Sequence, residues 1–224
     1  FGVATSNFNL LREAAQTLND KSNFNTFSTS NSQATSFSVS STSDATEGSH
    51  DITISSVAKE QRTNITPNGG SVFTSGSQLL NSGSAFTLAV AIGASATTTH
   101  TVTVSTATPQ GIVDAVNAAN LSVTAQLIDK GTSGVDNIIQ FTGASGSEGQ
   151  FSITPSVNSL LDSNTPSGYA ASDAAVVVNG VSYTRQSNTI TDIIDGVTID
   201  INSTTSGAAS VSVFRDTSNL KDNI

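Results

Sequence analysis

Between Phe37 and Val213 the chain alternates apolar with mostly hydroxyl-bearing residues in seven short segments. These are Phe37-Ser38-Val39, Ile52-Thr53-Ile54-Ser55, Phe86-Thr87-Leu88-Ala89-Val90, Val102-Thr103-Val104, Phe151-Ser152-Ile153, Val197-Thr198-Ile199-Asp200-Ile201 and Val211-Ser212-Val213. A period of two sends successive side chains to opposite faces of a strand, whereas a helix needs apolar residues three and four apart. The pattern predicts antiparallel sheets with one face buried and one face wet. Val176–Tyr183 adds a hairpin, because its Asn179-Gly180 pair tolerates the positive φ angles of a two-residue type I′ turn.

Helical spacing appears inside this β pattern once. Thr108 can cap, Pro109 suits the first helical position, and Ile112, Val113, Val116 and Ala119 form an apolar stripe that would cover a sheet. It also appears at both ends. Phe8–Leu18 carries Leu10, Leu11, Ala14 and Leu18 at helical spacing behind Ser6 or Asn7 as cap, and Asp216-Thr217-Ser218 caps a segment with Leu220 and Ile224 four apart. A shorter turn is expected at Thr189–Ile194, closed by Gly196.

The expected class is mainly β with some α (α+β), with two antiparallel β domains, one inserted in the other, on a truncated helical stalk. Loop-like stretches at Asn64–Gly70 and Asn164–Gly168 bracket about a hundred residues and place the insertion. The boundaries read as helical stubs at 1–27 and 216–224, a discontinuous β domain at 28–66 and 168–215, and an inserted β domain with one helix at 67–167.

Composition narrows the function. Only 11% of the 224 residues are charged, against about 25% in ordinary globular proteins, and roughly three in ten are Ser or Thr. Hydroxyls rather than ions solvate this surface. The net charge is −9 and the basic residues, among them Arg12, Lys59, Lys130 and Arg215, are scattered, so a nucleic-acid partner would find no electrostatic footprint. Zero Cys removes disulfides, thiolate catalysis and Cys-type zinc sites. No apolar run approaches the ~18 residues of a membrane-spanning helix. Phe1–Asn7 lacks the pattern of a signal peptide, and the chain, without Met even at its first position, reads as processed or as a fragment.

No set of residues assembles into catalytic chemistry. His50 and His100 are the only imidazoles, each beside Ser, Thr or Asp in what reads as solvated sequence. Ser56-Val57-Ala58-Lys59 and Ser218-Asn219-Leu220-Lys221 fit an S-x-x-K element, but the Ser-Asp-Asn and Lys-Thr-Gly partners are missing. Asp192, Asp195 and Asp200 are spaced wrongly for a calcium loop, since Ile193 and Ile194 intervene. Gly143–Gly149 is glycine-rich without the Gly-Lys pair or following helix of a phosphate cradle, and reads as a hairpin loop. Sequons at Asn64, Asn120 and Asn202 are expected by chance in such a composition. The expectation is a non-enzymatic protein with no catalytic, cofactor-binding or metal residues and no cofactor. Its oligomer contacts are not readable.

The run from Asp173 to Asp200, with its Val178-Asn179-Gly180-Val181 and Ser187-Asn188-Thr189-Ile190-Thr191-Asp192 blocks, resembles the flagellar filament cap family, also called hook-associated protein 2. Leu18-Asn19 with Phe24–Phe27, Thr108–Asn120 with Val123–Ile128, and Arg215–Lys221 agree in order, so the resemblance spans essentially the whole chain. Asp195-Gly196 departs from the Pro-Gly found in many of the family's members.

The resemblance implies an exported, extracellular bacterial protein at the flagellum tip, forming a homo-oligomeric ring whose plate is built from two outer β domains and whose coiled-coil legs enter the filament. It implies flagellin as a partner, an export chaperone for the full-length protein, adhesion to host mucin or glycans in some bacteria, and no membrane or nucleic-acid partner. The family's long heptad segments are expected to lie outside these residues, apart from Phe8–Leu18 and Asp216–Ile224. A surface adhesin module and a flagellin outer domain are the alternative readings.

Overall fold

The structure is a computed structural model that describes residues 2–19, 26–95, 98–131 and 135–216. The chain begins with helix α1 (Gly2–Asn19) and runs through strands β1 (Phe27–Asn31), β2 (Phe37–Ser41) and β3 (Gly48–Ser56). It continues through β4 (Glu60–Pro67), β5 (Phe86–Ile92), β6 (Thr98–Val104), helix α2 (Pro109–Ala118), β7 (Thr124–Asp129), β8 (Asn137–Ser145), β9 (Phe151–Pro155) and β10 (Leu161–Asn164). It closes with β11 (Ala174–Val178), β12 (Val181–Arg185), β13 (Thr189–Ile190), β14 (Val197–Ile201) and β15 (Ala209–Arg215).

These elements divide into two compact units. The first draws on Phe1–Val57, Ala175–Tyr183 and Asn188–Ile224, and the second on Ala58–Ala174 and Thr184–Ser187. In the first unit, β1-β15-β3-β11-β12 form one sheet and β13-β14-β2 another. The period-two segments bury alternate residues as their spacing requires: Ile52 and Ile54 on β3, Val197, Ile199 and Ile201 on β14, and Val211 and Val213 on β15. The Asn179-Gly180 turn joins β11 to β12 with φ values of 50° and 83°, the left-handed pair a type I′ turn needs.

In the second unit the sheets β10-β4-β8-β7 and β6-β5-β9 share one core with α2. That core holds Phe73, Leu88, Val90, Ile112, Val116, Ile139 and Phe141, with the Phe141 and Phe151 rings 6.4 Å apart and tilted by 44°. Helix α2 starts where its cap requires: the Thr108 hydroxyl accepts a 3.0 Å hydrogen bond from the Gly111 N–H, and Pro109 occupies the first turn.

Several expectations differ from what the structure contains. The unit boundaries fall at Val57/Ala58 and Ala174/Ala175 instead of 66/67 and 167/168, and Thr184–Ser187 also joins the second unit. The physical reason is that β4 turns Gln61, Thr63 and Ile65 inward and pairs with both β8 and β10, so the first stretch read as a bracketing loop is strand as far as Pro67, while the second begins at Asn164, the last residue of β10, which faces Asn64. Gly143–Gly149 is not a hairpin loop, since it carries the chain from β8 in one sheet to β9 in the other. Thr189–Ile190 is a short strand paired with Ile199–Asp200 rather than the start of a turn.

At the ends, α1 begins at Gly2, a turn and a half before the apolar spacing becomes evident at Phe8, so Ser6 and Asn7, expected as its cap, lie inside the helix. The helix expected at Asp216–Ile224 lies, beyond Asp216, outside the described residues.

Candidate functional surfaces

The residues singled out for possible chemistry are dispersed. His50 sits on β3 with its Nδ1 3.1 Å from the Asn179 amide nitrogen, beside the hairpin turn. His100 lies on β6 in a shallow cleft with Ile92, Asn120, Leu121 and Glu148. Ser56 ends β3, and Lys59 bridges to Ser172 through main-chain hydrogen bonds; Ser218–Lys221 lies outside the described residues. The Asp200 carboxylate accepts a 2.6 Å hydrogen bond from the Thr189 hydroxyl. No group of three or more His, Asp or Glu side chains among the described residues could hold a metal ion.

The glycine-rich segment is a packing device. A Cβ on Gly143 would meet the Gly149 carbonyl oxygen at 2.2 Å, one on Gly149 would meet the Ala144 oxygen at 1.9 Å, and one on Gly146 would meet the Gln186 side chain at 2.3 Å. Ser147 adds hydrogen bonds of 2.6 and 2.8 Å from its N–H and hydroxyl to the Asp173 carboxylate. These amides are occupied within the unit, which leaves no cradle for a phosphate.

With few charges available, the chain fastens its strands with side-chain amides. Gln61, buried at a bulge in β4, donates to the Phe151 carbonyl at 2.7 Å and accepts from the Phe151 N–H at 3.2 Å. Asn117 on α2 does the same to Ala125 on the edge strand β7, at 2.9 and 2.8 Å. Gln33 does it to Ser206 at 3.2 and 2.9 Å. Each amide presents one donor and one acceptor as a neighbouring strand would. Glutamine and asparagine are visible in the sequence, but nothing near them in the chain marks these long-range partners.

At the base of the first unit the incoming and outgoing chain are zipped together. Phe27 is the register partner of Arg215, Asp216 N–H donates to the Thr26 carbonyl at 2.9 Å, and the Arg215 guanidinium lies 5.4 Å over the Phe27 ring while bonding Glu47 at 2.9 Å. The ion pair is half exposed, so it adds specificity more than stability. Preceding this base, α1 leaves Phe8 74%, Leu10 61% and Leu11 67% exposed. Phe8 and Leu11, three apart, share a helix face of the kind that packs against another helix.

A discontinuous β unit whose two ends run side by side, an inserted β unit and a helix with exposed apolar residues define a modular, two-unit β protein. Two family models bear on it: flagellar hook-associated protein 2 N-terminus matches residues 1–61, and flagellar hook-associated protein 2 C-terminus matches residues 171–224. Both matches end within a few residues of the boundaries of the inserted unit. The chain belongs to the flagellar hook-associated protein 2 family.

Solved structures agree in fold. The D1-D2-D3 domains of the flagellar cap protein FliD from Escherichia coli align with a TM-score of 0.73 at 22% identity, covering 98% of this chain and 66% of that one. The chain thus spans just under two thirds of that relative's length. The E. coli D2-D3 domains align at 0.67 and 22% identity over 85% of this chain and 98% of that one. FliD (HAP2) from Pseudomonas aeruginosa aligns at 0.58 and 21% identity over 84% and 88%. No curated protein matches at the level of sequence alone.

Proposed function

We propose that this chain is the outer β part of a non-catalytic cap at the distal end of the bacterial flagellar filament, where copies associate in a ring and promote flagellin assembly. The observation that carries the reading is the convergence of two matches to one family on β1 and β15, which pair at the base that follows α1. The exposed Phe8, Leu10 and Leu11 support it further. Burying one such side chain is worth about 1.5–3 kcal/mol, so the three together provide a driving force for helix association. The protein would reach its place by flagellar export, with a chaperone holding the apolar helix until assembly.

The test is complementation. The full-length gene should restore filament growth in a cap-deficient strain, and the same gene carrying Phe8→Asp with Leu11→Asp should not. Short filaments with the unaltered gene would overturn the proposal.

Adhesion is a second reading, favoured by the outer face of the β6-β5-β9 sheet, where Thr99, Thr101, Thr103, Ser152 and Thr154 are exposed. Such a hydroxyl array offers donors and acceptors to mucin or other host glycans. Binding of the chain to immobilised mucin supports this reading, and no binding at high micromolar concentration rejects it.

A further inference from the structure

The sequence contains two Asn-Gly pairs, Asn68-Gly69 and Asn179-Gly180, and the fold treats them differently. Both are exposed. Asn179 is clamped across the sheet: its Oδ1 accepts from the Asp51 N–H at 3.0 Å, its N–H donates to the Asp51 carbonyl at 2.9 Å, and its Nδ2 meets His50. Asn68 donates its main-chain N–H to the Leu160 carbonyl at 3.2 Å, and its side-chain amide is bonded to one carboxylate. Asp162, on the edge strand β10, accepts from Asn68 Nδ2 at 3.1 Å through one oxygen and from the Gly69 main-chain N–H at 2.8 Å through the other. The bridge thus holds the Asn68 side-chain nitrogen and the following peptide nitrogen on the two oxygens of one carboxylate.

We propose that Asn68-Gly69 is a built-in deamidation site and that Asp162 is its positioning residue. The Gly69 N–H loses its proton toward Asp162, and the nitrogen forms a bond to Asn68 Cγ. The Cγ–Nδ2 bond then breaks, and the amide nitrogen leaves as ammonia with the transferred proton. The resulting five-membered succinimide takes up one water at either carbonyl to give aspartate or isoaspartate. The sum is amide plus water to acid plus ammonia, with no redox change. Glycine at the second position favours the step because no Cβ hinders the approach, and Gly69, at φ 68°, stands in open space. Holding the attacking and leaving nitrogens on one carboxylate supplies the proximity and the proton acceptor together.

The consequence is an irreversible mark on the second unit. The product carboxylate at residue 68 faces Asp162, so a pair of like charges replaces the hydrogen bond from Asn68 Nδ2 at the end of the β4–β10 pair, where Pro67 and Leu161 are register partners.

The experiment incubates the folded protein in mildly alkaline buffer and follows each Asn-Gly peptide by mass spectrometry and isoaspartate detection. Asn68 is expected to convert roughly tenfold faster than Asn179 in the folded chain. In strong urea, where neither fold-imposed geometry survives, the two rates should become nearly equal. Asp162→Asn, checked by circular dichroism for a retained fold, should slow Asn68 several-fold and leave Asn179 unchanged. Equal rates in the folded chain, a rate difference that persists in urea, or an unaltered or faster Asn68 in Asp162→Asn would each overturn the proposal.

Discussion

Gln61 offers the most informative single perturbation of the second unit. It is 6% exposed, and a bulge between Glu60 and Arg62 directs its amide to the main chain of Phe151, itself 5% exposed, and to the Thr63 hydroxyl at 2.8 Å. Truncation in Gln61→Ala strands a buried N–H and a buried carbonyl on Phe151, each costing about 1–3 kcal/mol, so the loss is about 3 kcal/mol. For a unit of this size that corresponds to a fall of roughly 10 °C in the melting temperature.

Gln61→Glu separates hydrogen bonding from packing. A protonated acid reproduces one donor and one acceptor, while an ionised one sets a negative charge against the Phe151 carbonyl. Burial and that carbonyl therefore raise the folded pKa of the introduced acid above its ordinary value of about 4.3. The folded state then binds the extra proton, so the protonated variant's stability is fully present below about pH 4.3 and lost as pH rises through the raised folded pKa. Differential scanning calorimetry of wild type and both variants across this range reads the effect. A loss in Gln61→Ala below about 0.5 kcal/mol, the level of an ordinary surface change, would refute the reasoning, as would a pH-independent difference between Gln61→Glu and wild type.

Further expectations follow from the same geometry. Asn117→Ala should cost about 1 kcal/mol and expose the edge of β7, which analytical ultracentrifugation would register as concentration-dependent self-association of the variant. Gly149→Ala should lower the urea midpoint by the equivalent of about 2–3 kcal/mol because main chain must move, whereas Gly180→Ala, at φ 83° with open space, should cost only about 1–2 kcal/mol. Thr108→Ala removes the cap of α2 and should cost about 1 kcal/mol, with faster amide exchange confined to the first turn of that helix.

How much of this was legible in the chain depends on the range of the interaction. Val197–Ile201 alternates strictly and is a strand over those same residues, and Asn179-Gly180 makes its turn where it stands. Thr108 and Pro109 start α2 because cap and first-turn preferences act within four residues. The family blocks were recognisable for a related reason, since they are contiguous runs such as Asp173–Asp200. By contrast Glu60–Pro67 contains polar residues that suit a loop, and only its partners on both sides make it a strand. The partners of Gln61, and the crowding around Gly143, Gly146 and Gly149, carried no local signal that could have revealed them.

By itself, then, the sequence determined the period of each segment, the hairpin, the internal helix and the mainly β character, all consequences of forces between near neighbours. Only the tertiary structure decided that β1 pairs with β15, that β3 lies between β15 and β11, and that the inserted unit begins at Ala58. Strand pairing joins residues nearly the whole chain apart, as in Phe27 with Arg215, and alternation says which face is buried but not against which partner. That choice belongs to side-chain packing and to the pairing of every buried main-chain group, which exist only once the chain has closed on itself.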